Sequence, residues 1–372
     1  MRRLRLQRFE PLERRLCLSI DAAQIAGNLV VTGDAELPVA INATGPETFE
    51  VVEQGSPVIT VEGVTGGVHV LLSEPPPDSG DPVTADDVTV DLGGESVDYL
   101  FANLGVGENA LAVQNGTVEG ALRYFGGPDA DELQVADTAA VDQLALLILG
   151  RGDNVAQLDG QFGGSVALLG GDGADTIGIG QSAAVRHNLF TGLGAGENTF
   201  TLEGTVQKYL TVIGGPGTDT ATIAATASVG RDANFGLGHG TNQVTVDGAV
   251  GWTLRVAGGR DADTVAIGGS VGGLVSALLG NGENGLTLSG SVGSSLIYAG
   301  GTGNDTVATA SGSEIGGTVL AGLGAGDNSF THEGHIAGNL IVTSLNPNDT
   351  VDLEQGTVDG WKFIRLGWPW WA

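Results

Sequence analysis

A right-handed parallel β-helix is the fold this sequence predicts, and three observations predict it. A glycine-rich turn returns about every 22 residues along the 372-residue chain. The last acid or amide of each turn alternates between aspartate and asparagine without a break: Asp87, Asn109, Asp131, Asn154, Asp175, Asn198, Asp219, Asn242, Asp263, Asn284, Asp305, Asn328 and Asp349. Between turns, apolar residues recur at fixed offsets with the alternation of strands. Self-similarity with a period of roughly 20 to 50 residues marks a solenoid, propeller or array.

The offsets define the coil. After Asn198 the apolar residues are Phe200, Leu202, Val206, Leu210 and Val212; after Asn242 they are Val244, Val246, Val250, Leu254 and Val256. Steps of two within a group are strand periodicity, and the gap between groups is a bend. After an Asp turn the same groups return shifted by two, as in Ile177, Ile179, Val185 and Leu189. Each coil therefore makes two or three short strands around a common interior. A helix is disfavoured, because glycine and β-branched residues both weaken it. Strands of successive coils pair in parallel about 4.8 Å apart, so roughly fourteen coils give a rod of about 65 Å. Parallel crossovers are right-handed.

Charge narrows the partners. The net charge is −29. Residues 1–19 hold six arginines and two glutamates, a net of +4, which leaves −33 on the rest. An acidic body argues against nucleic acid, whose binding rests on neutralising phosphates with Lys and Arg. It suits divalent cations and keeps a long particle soluble. The single cysteine, Cys17, leaves no internal disulfide framework. No apolar run approaches the length of a transmembrane segment.

In chain order, 1–19 is a basic arm and 20–358 is the solenoid. Its first coils, 20–86, are irregular and its coils from 87 to 358 are regular. The solenoid begins near Ile25, where Ile25-Ala26-Gly27-Asn28-Leu29 repeats as Ile336-Ala337-Gly338-Asn339-Leu340 near the other end. Residues 73–86 read as an inserted loop, because consecutive prolines cannot continue a central strand. Segment 359–372 holds four of the five tryptophans. It reads as a cap over the last coil, or as a stacking platform for sugar rings.

Two resemblances follow from particular residues. The segment Phe9-Glu10-Pro11-Leu12-Glu13-Arg14-Arg15-Leu16-Cys17-Leu18-Ser19 resembles the LEPR-XLL segment of exported and surface proteins of planctomycete bacteria. Leu12, Glu13, Arg15 and Leu18 match its core, while Arg14 and Cys17 depart from it. This resemblance implies an extracellular or envelope destination. The turn Gly170-Gly171-Asp172-Gly173-Ala174-Asp175-Thr176-Ile177 resembles the hemolysin-type calcium-binding repeat, as does Gly300-Gly301-Thr302-Gly303-Asn304-Asp305-Thr306-Val307. This second resemblance implies Ca²⁺, held by Asp131, Asp172, Asp175, Glu197, Asp219, Asp261, Asp263, Glu283, Asp305 and Asp327. Calcium takes roughly six to eight oxygen ligands, and glycines let carbonyls turn toward an ion. The chain departs from that family in carrying the motif once per coil and in ending every second turn with asparagine. The alternative is a hydrogen-bonded corner, since Asp and Asn cap tight turns by accepting backbone N–H groups.

Other candidates are sparser. Asp159, Glu203, Asp247 and Glu333 recur before a turn glycine and read as a solvated acidic face. The five histidines share no offset; His332 falls at an inward position and reads as a bonded core histidine. Lys208, Arg231, Arg255 and Arg260 could line a lyase-like groove but carry no motif. The pairs Thr199/Thr201 and Thr220/Thr222 resemble flat ice-binding arrays, with Gln243 and Gly285 interrupting the row. The reading that results is a non-catalytic, secreted or surface-displayed rod with a structural or adhesive role. Ca²⁺ is its candidate ion, and a surface polysaccharide or envelope component its partner. The alternatives are a carbohydrate-active β-helix enzyme and a passive fragment of a larger surface protein.

Overall fold

The computed structural model describes residues 20–35, 37–72 and 85–367. The basic arm, most of the proline-rich insertion and three of the five tryptophans lie outside them. The described chain is an all-β parallel solenoid of three sheets. Sheets A and B hold 16 strands each and sheet C holds 13. Each coil runs through B, C and A in that order. The coil after Asn198 does so with Thr199–Leu202, Thr205–Val206 and Leu210–Ile213. The thirteen strands of sheet C count the complete coils, one fewer than the spacing alone suggests.

The inward positions are those that the offsets picked out. Phe200, Leu202, Val206, Leu210 and Val212 are all buried, as are their counterparts after Asn242. One cluster of buried apolar side chains runs from Ile20 to Val342. The two-residue extension lies at the corner between sheets B and C, where Ala183 and Ala227 turn inward. The coil after Asp263 lacks it, so Val271 and Val275 stand at the offsets of an Asn coil.

The N-terminal end departs from the coil pattern. Ile20–Ile25 pairs antiparallel with Asn28–Gly33 at the edge of sheet A. At the edge of sheet B, Val39–Gly45, Thr48–Glu53 and Ile59–Glu62 form an antiparallel meander. These strands cover the parallel edges that a bare solenoid would expose to another chain. The repeated pentapeptide therefore adopts two conformations. Ala26 and Gly27 take φ of 52° and 87° in a two-residue hairpin turn, which needs positive φ at both positions. Ala337 and Gly338 instead bend between sheets C and A, and Ile336 is buried where Ile25 is exposed. At the other end Val351 and Val358 are only partly covered. Trp361 stands exposed beside Lys362–Arg365, the last strand of sheet A.

Candidate functional site

The corner between sheets A and B carries the repeated turn. Its last residues form one buried row from Asp86 to Asp349, alternating aspartate and asparagine. The row begins at Asp86, one residue before the position that spacing gives, and Asp87 instead opens the outward face of a strand. Each member donates its backbone N–H to Oδ1 of the next. Asp131 donates to Asn154 at 2.9 Å, Asn154 to Asp175 at 3.0 Å and Asp175 to Asn198 at 2.9 Å. The chain of bonds runs unbroken from Asp86 N–H to Asp349.

The second side-chain atom explains the alternation. In the turns of Asp131, Asp175, Asp219 and Asp263, Oδ2 accepts the N–H of the glycine four residues earlier, as Asp175 does from Gly171 at 3.1 Å and Asp263 from Gly259 at 3.0 Å. In Asn turns, Nδ2 donates to turn carbonyls, as Asn242 does to Gly240 at 2.9 Å. It also donates across to the next aspartate, Asn198 to Asp219 Oδ1 at 2.8 Å. The glycine four residues before each asparagine makes this possible by taking positive φ, for example 84° at Gly194. A Cβ there would stand 1.9 Å from the Gly171 carbonyl oxygen. Glycine is required on both counts.

Burial sets the electrostatics of the row. It pushes the Asp131 carboxyl up to about 6, against the lowering effect of bonds from Gly127 and Asn109. Asp175, Asp219, Asp263 and Asp305 are raised for the same reason. Tyr124 and Tyr298, buried in sheet A beside Asp131 and Asp305, are raised by burial first and the neighbouring carboxylate second.

The ten candidate calcium ligands therefore separate. Asp131, Asp175, Asp219, Asp263 and Asp305 face inward, and their carboxylates meet N–H donors, which is the wrong environment for a cation. Asp172, Glu197, Asp261, Glu283 and Asp327 lie exposed on the outside of the same corner. Some outer groups cap the neighbouring coil, as Asp153 does in accepting the Ala174 N–H at 2.7 Å and Asp261 that of Gly240 at 3.0 Å. Among the described residues no three His, Cys, Asp or Glu side chains gather into a metal-sized group.

The remaining candidates stay dispersed. Asp159, Glu203, Asp247 and Glu333 are exposed or half-buried at the B–C corner. His332 is a bonded core histidine, with Nδ1 at 2.6 Å from Thr309 Oγ1 and Nε2 at 3.0 Å from the Thr357 carbonyl. Arg231 lies over the rings of Tyr209 and Trp252, at 5.8 and 5.6 Å. Arg255 pairs with Asp232 at 3.5 Å. Arg260 belongs to the Asp263 turn, at the opposite end of the sheet A strand.

The feature that sequence reading missed is the outward face of sheet A. Its two rows hold Phe101, Phe125, Leu146, Ile148, Phe190, Ile213, Leu278, Leu320 and Phe363. From Val68 to Arg365 neither row contains an aspartate or glutamate among the described residues. In a chain with 44 acids this is a segregation of charge. The signal was present at alternate positions of every third strand. It becomes visible only when the coils are stacked in register.

Two predictions follow from the corner row. An unsatisfied buried group costs about 1–3 kcal/mol and more when charged. Asn198→Asp would set a carboxylate against the Gly196 carbonyl and Asp219, so a loss of about 3 kcal/mol or more is expected in urea unfolding at neutral pH. A loss below about 1 kcal/mol would contradict the ladder. The second concerns pH. A carboxyl with a raised folded pKa penalises the folded state once the unfolded chain ionises, so stability falls as pH rises from about 4 to about 6 and stays lower above. Thermal unfolding is expected to be higher at pH 4.5 than at pH 7.5. At each pH, melts in EDTA and in millimolar Ca²⁺ are expected to coincide. A Ca²⁺-specific rise would place ions on the outer acids.

No known family profile matches the chain, and no curated protein matches it either. Among solved structures it is similar to the X-ray structure of a hyperactive, Ca²⁺-dependent, β-helical antifreeze protein from an Antarctic bacterium. The identity is 23%, the match covers 78% of this chain and 80% of that one, and the TM-score is 0.41.

Proposed function

We propose that the rod is a non-catalytic, surface-displayed binding scaffold whose sheet A face holds a neutral polysaccharide. The acid-free face carries the reading. Contiguous exposed apolar surface marks an interaction site, and aromatic side chains accept the C–H faces of sugar rings as well as protein. The Phe101 and Phe125 rings stand 5.6 Å apart on this face, and Tyr209, Arg231 and Trp252 stack along its edge. The acidic body repels polyanions, which leaves a neutral polymer as the partner. An extracellular or envelope location belongs to the same proposal; among the described residues no helix is long and apolar enough to cross a membrane.

Co-sedimentation with cellulose and chitin, with alginate as the polyanion, tests this. Retention on at least one neutral polymer is expected, weakened about thirtyfold or more by the outward substitutions Phe190→Ala and Ile213→Ala together, the loss expected at an interface hot spot. Absence of retention, or retention indifferent to both substitutions, would sink it.

A second reading has its own observation. On sheet B, Thr176, Thr199 and Thr220 stand in register in one outward row, and Thr201, Thr222 and Thr245 in the next. From Val155 to Thr331 these two rows carry no charge. Hydroxyls and methyls repeat about 4.8 Å along the rod and about 6.7 Å across it, an arrangement able to order water at an ice surface. Thermal hysteresis abolished by Thr222→Tyr would support it; a freezing point equal to the melting point in the unmodified protein would end it.

A further inference from the structure

We infer that a cavity beside the N-terminal part of sheet A is a sugar-binding pocket for a single neutral pyranose residue. The inference rests on the polysaccharide reading and gives that face a specific end. The cavity measures about 380 Å³ and is lined by His69, Asp98, Tyr99, Phe101, Ala121 and Arg123, among others. That volume lies within the range of small-molecule sites, roughly 300–1,000 Å³.

Its origin is a displaced ring. Asp98–Tyr99 and Gly120–Ala121 occupy the same corner, between sheets C and A, in consecutive coils. Tyr99 leans away from the second coil and lies on the backbone of Gly67, where a Cβ would come within 2.6 Å of the ring. His69 holds it there, with Nε2 at 2.6 Å from the Tyr99 hydroxyl and the two rings edge-on at 5.1 Å. Gly120 and Ala121 are too small to fill the space left behind. At the same corner two coils further on stand Gly164 and Ser165, but the intervening coil has Gln143 and Leu144, and later ones have Lys208 with Tyr209 and Arg231 with Asp232.

The lining fits a polyol ring and fits an anion poorly. Phe101 offers an apolar face, with its ring 5.9 Å from that of His69. Asp98 accepts hydrogen bonds and Arg123 donates them, so vicinal hydroxyls can satisfy both. The Asp98 carboxylate opposes a phosphate or uronate. Phe101 and Arg123 are register neighbours on the outward row of sheet A. A ring in the pocket can therefore continue into a chain lying along the acid-free face.

Calorimetric titration of the full chain with soluble neutral tetrasaccharides, cellotetraose and chitotetraose, tests the inference. Binding of one of them is expected. Ala121→Leu, which fills the floor, and Phe101→Ala are each expected to weaken it tenfold or more. Arg123→Ala, an exposed truncation that cannot threaten the fold, is expected to weaken it as well. Glu203→Gln, at the corner between sheets B and C, is expected to leave it unchanged. Polymer retention without tetrasaccharide binding, or tetrasaccharide binding untouched by the three pocket substitutions, would overturn the pocket while leaving the face proposal standing. Failure to bind either polymer or tetrasaccharide would overturn both.

Discussion

A buried row of backbone N–H groups at one corner sets the terms for the rest of the rod. A narrow solenoid turns sharply, and at the turn between sheets A and B its backbone is too deep for water to satisfy. Leaving those donors unpaired would cost more than most single contacts supply. The chain meets the demand with one side-chain oxygen per coil, taken from the next coil along. That choice places a carboxylate or amide in the interior at every turn. The glycines, the alternation and the raised aspartates all follow from it.

Much of this was legible in the residues. The inward valines and leucines from Asn198 to Val256 could be placed from offsets alone, because strand periodicity and burial report the same thing. His332 could be placed inward for the same reason. The direction in which Asp175 and its equivalents point could not. A glycine-rich turn ending in aspartate serves an ion or a buried N–H equally well in sequence; the difference is the peptide orientation at Gly171 and Gly194. Asp86 and Asp87 were indistinguishable until the register of neighbouring strands fixed which one turned inward. The pentapeptide at Ile25 and Ile336 makes the same point in reverse, since one set of residues forms a hairpin at an edge and a bend between coils.

Rows of acids stand at the corners between the sheets. The outer turn residues Asp172, Glu197, Asp261, Glu283 and Asp327 and the row through Glu203 and Asp247 hold acids at the corners. The outward rows of sheet A carry no acid, and those of sheet B are threonine-rich. Solubility is thus supplied by the edges of the prism, which frees two long faces for contact.

The alternation at the corner also imposes a parity rule on the length of the protein. Asn198 can give its amide hydrogen to Asp219 because the two differ; two aspartates in succession would face each other across a coil, and two asparagines would meet with mismatched glycine conformations. Duplication or deletion of one coil therefore breaks the row at the junction, whereas a pair of coils can be added or removed with every bond re-formed. The heritable unit of this rod is the double coil, and natural or designed variants should differ in length by even numbers of turns.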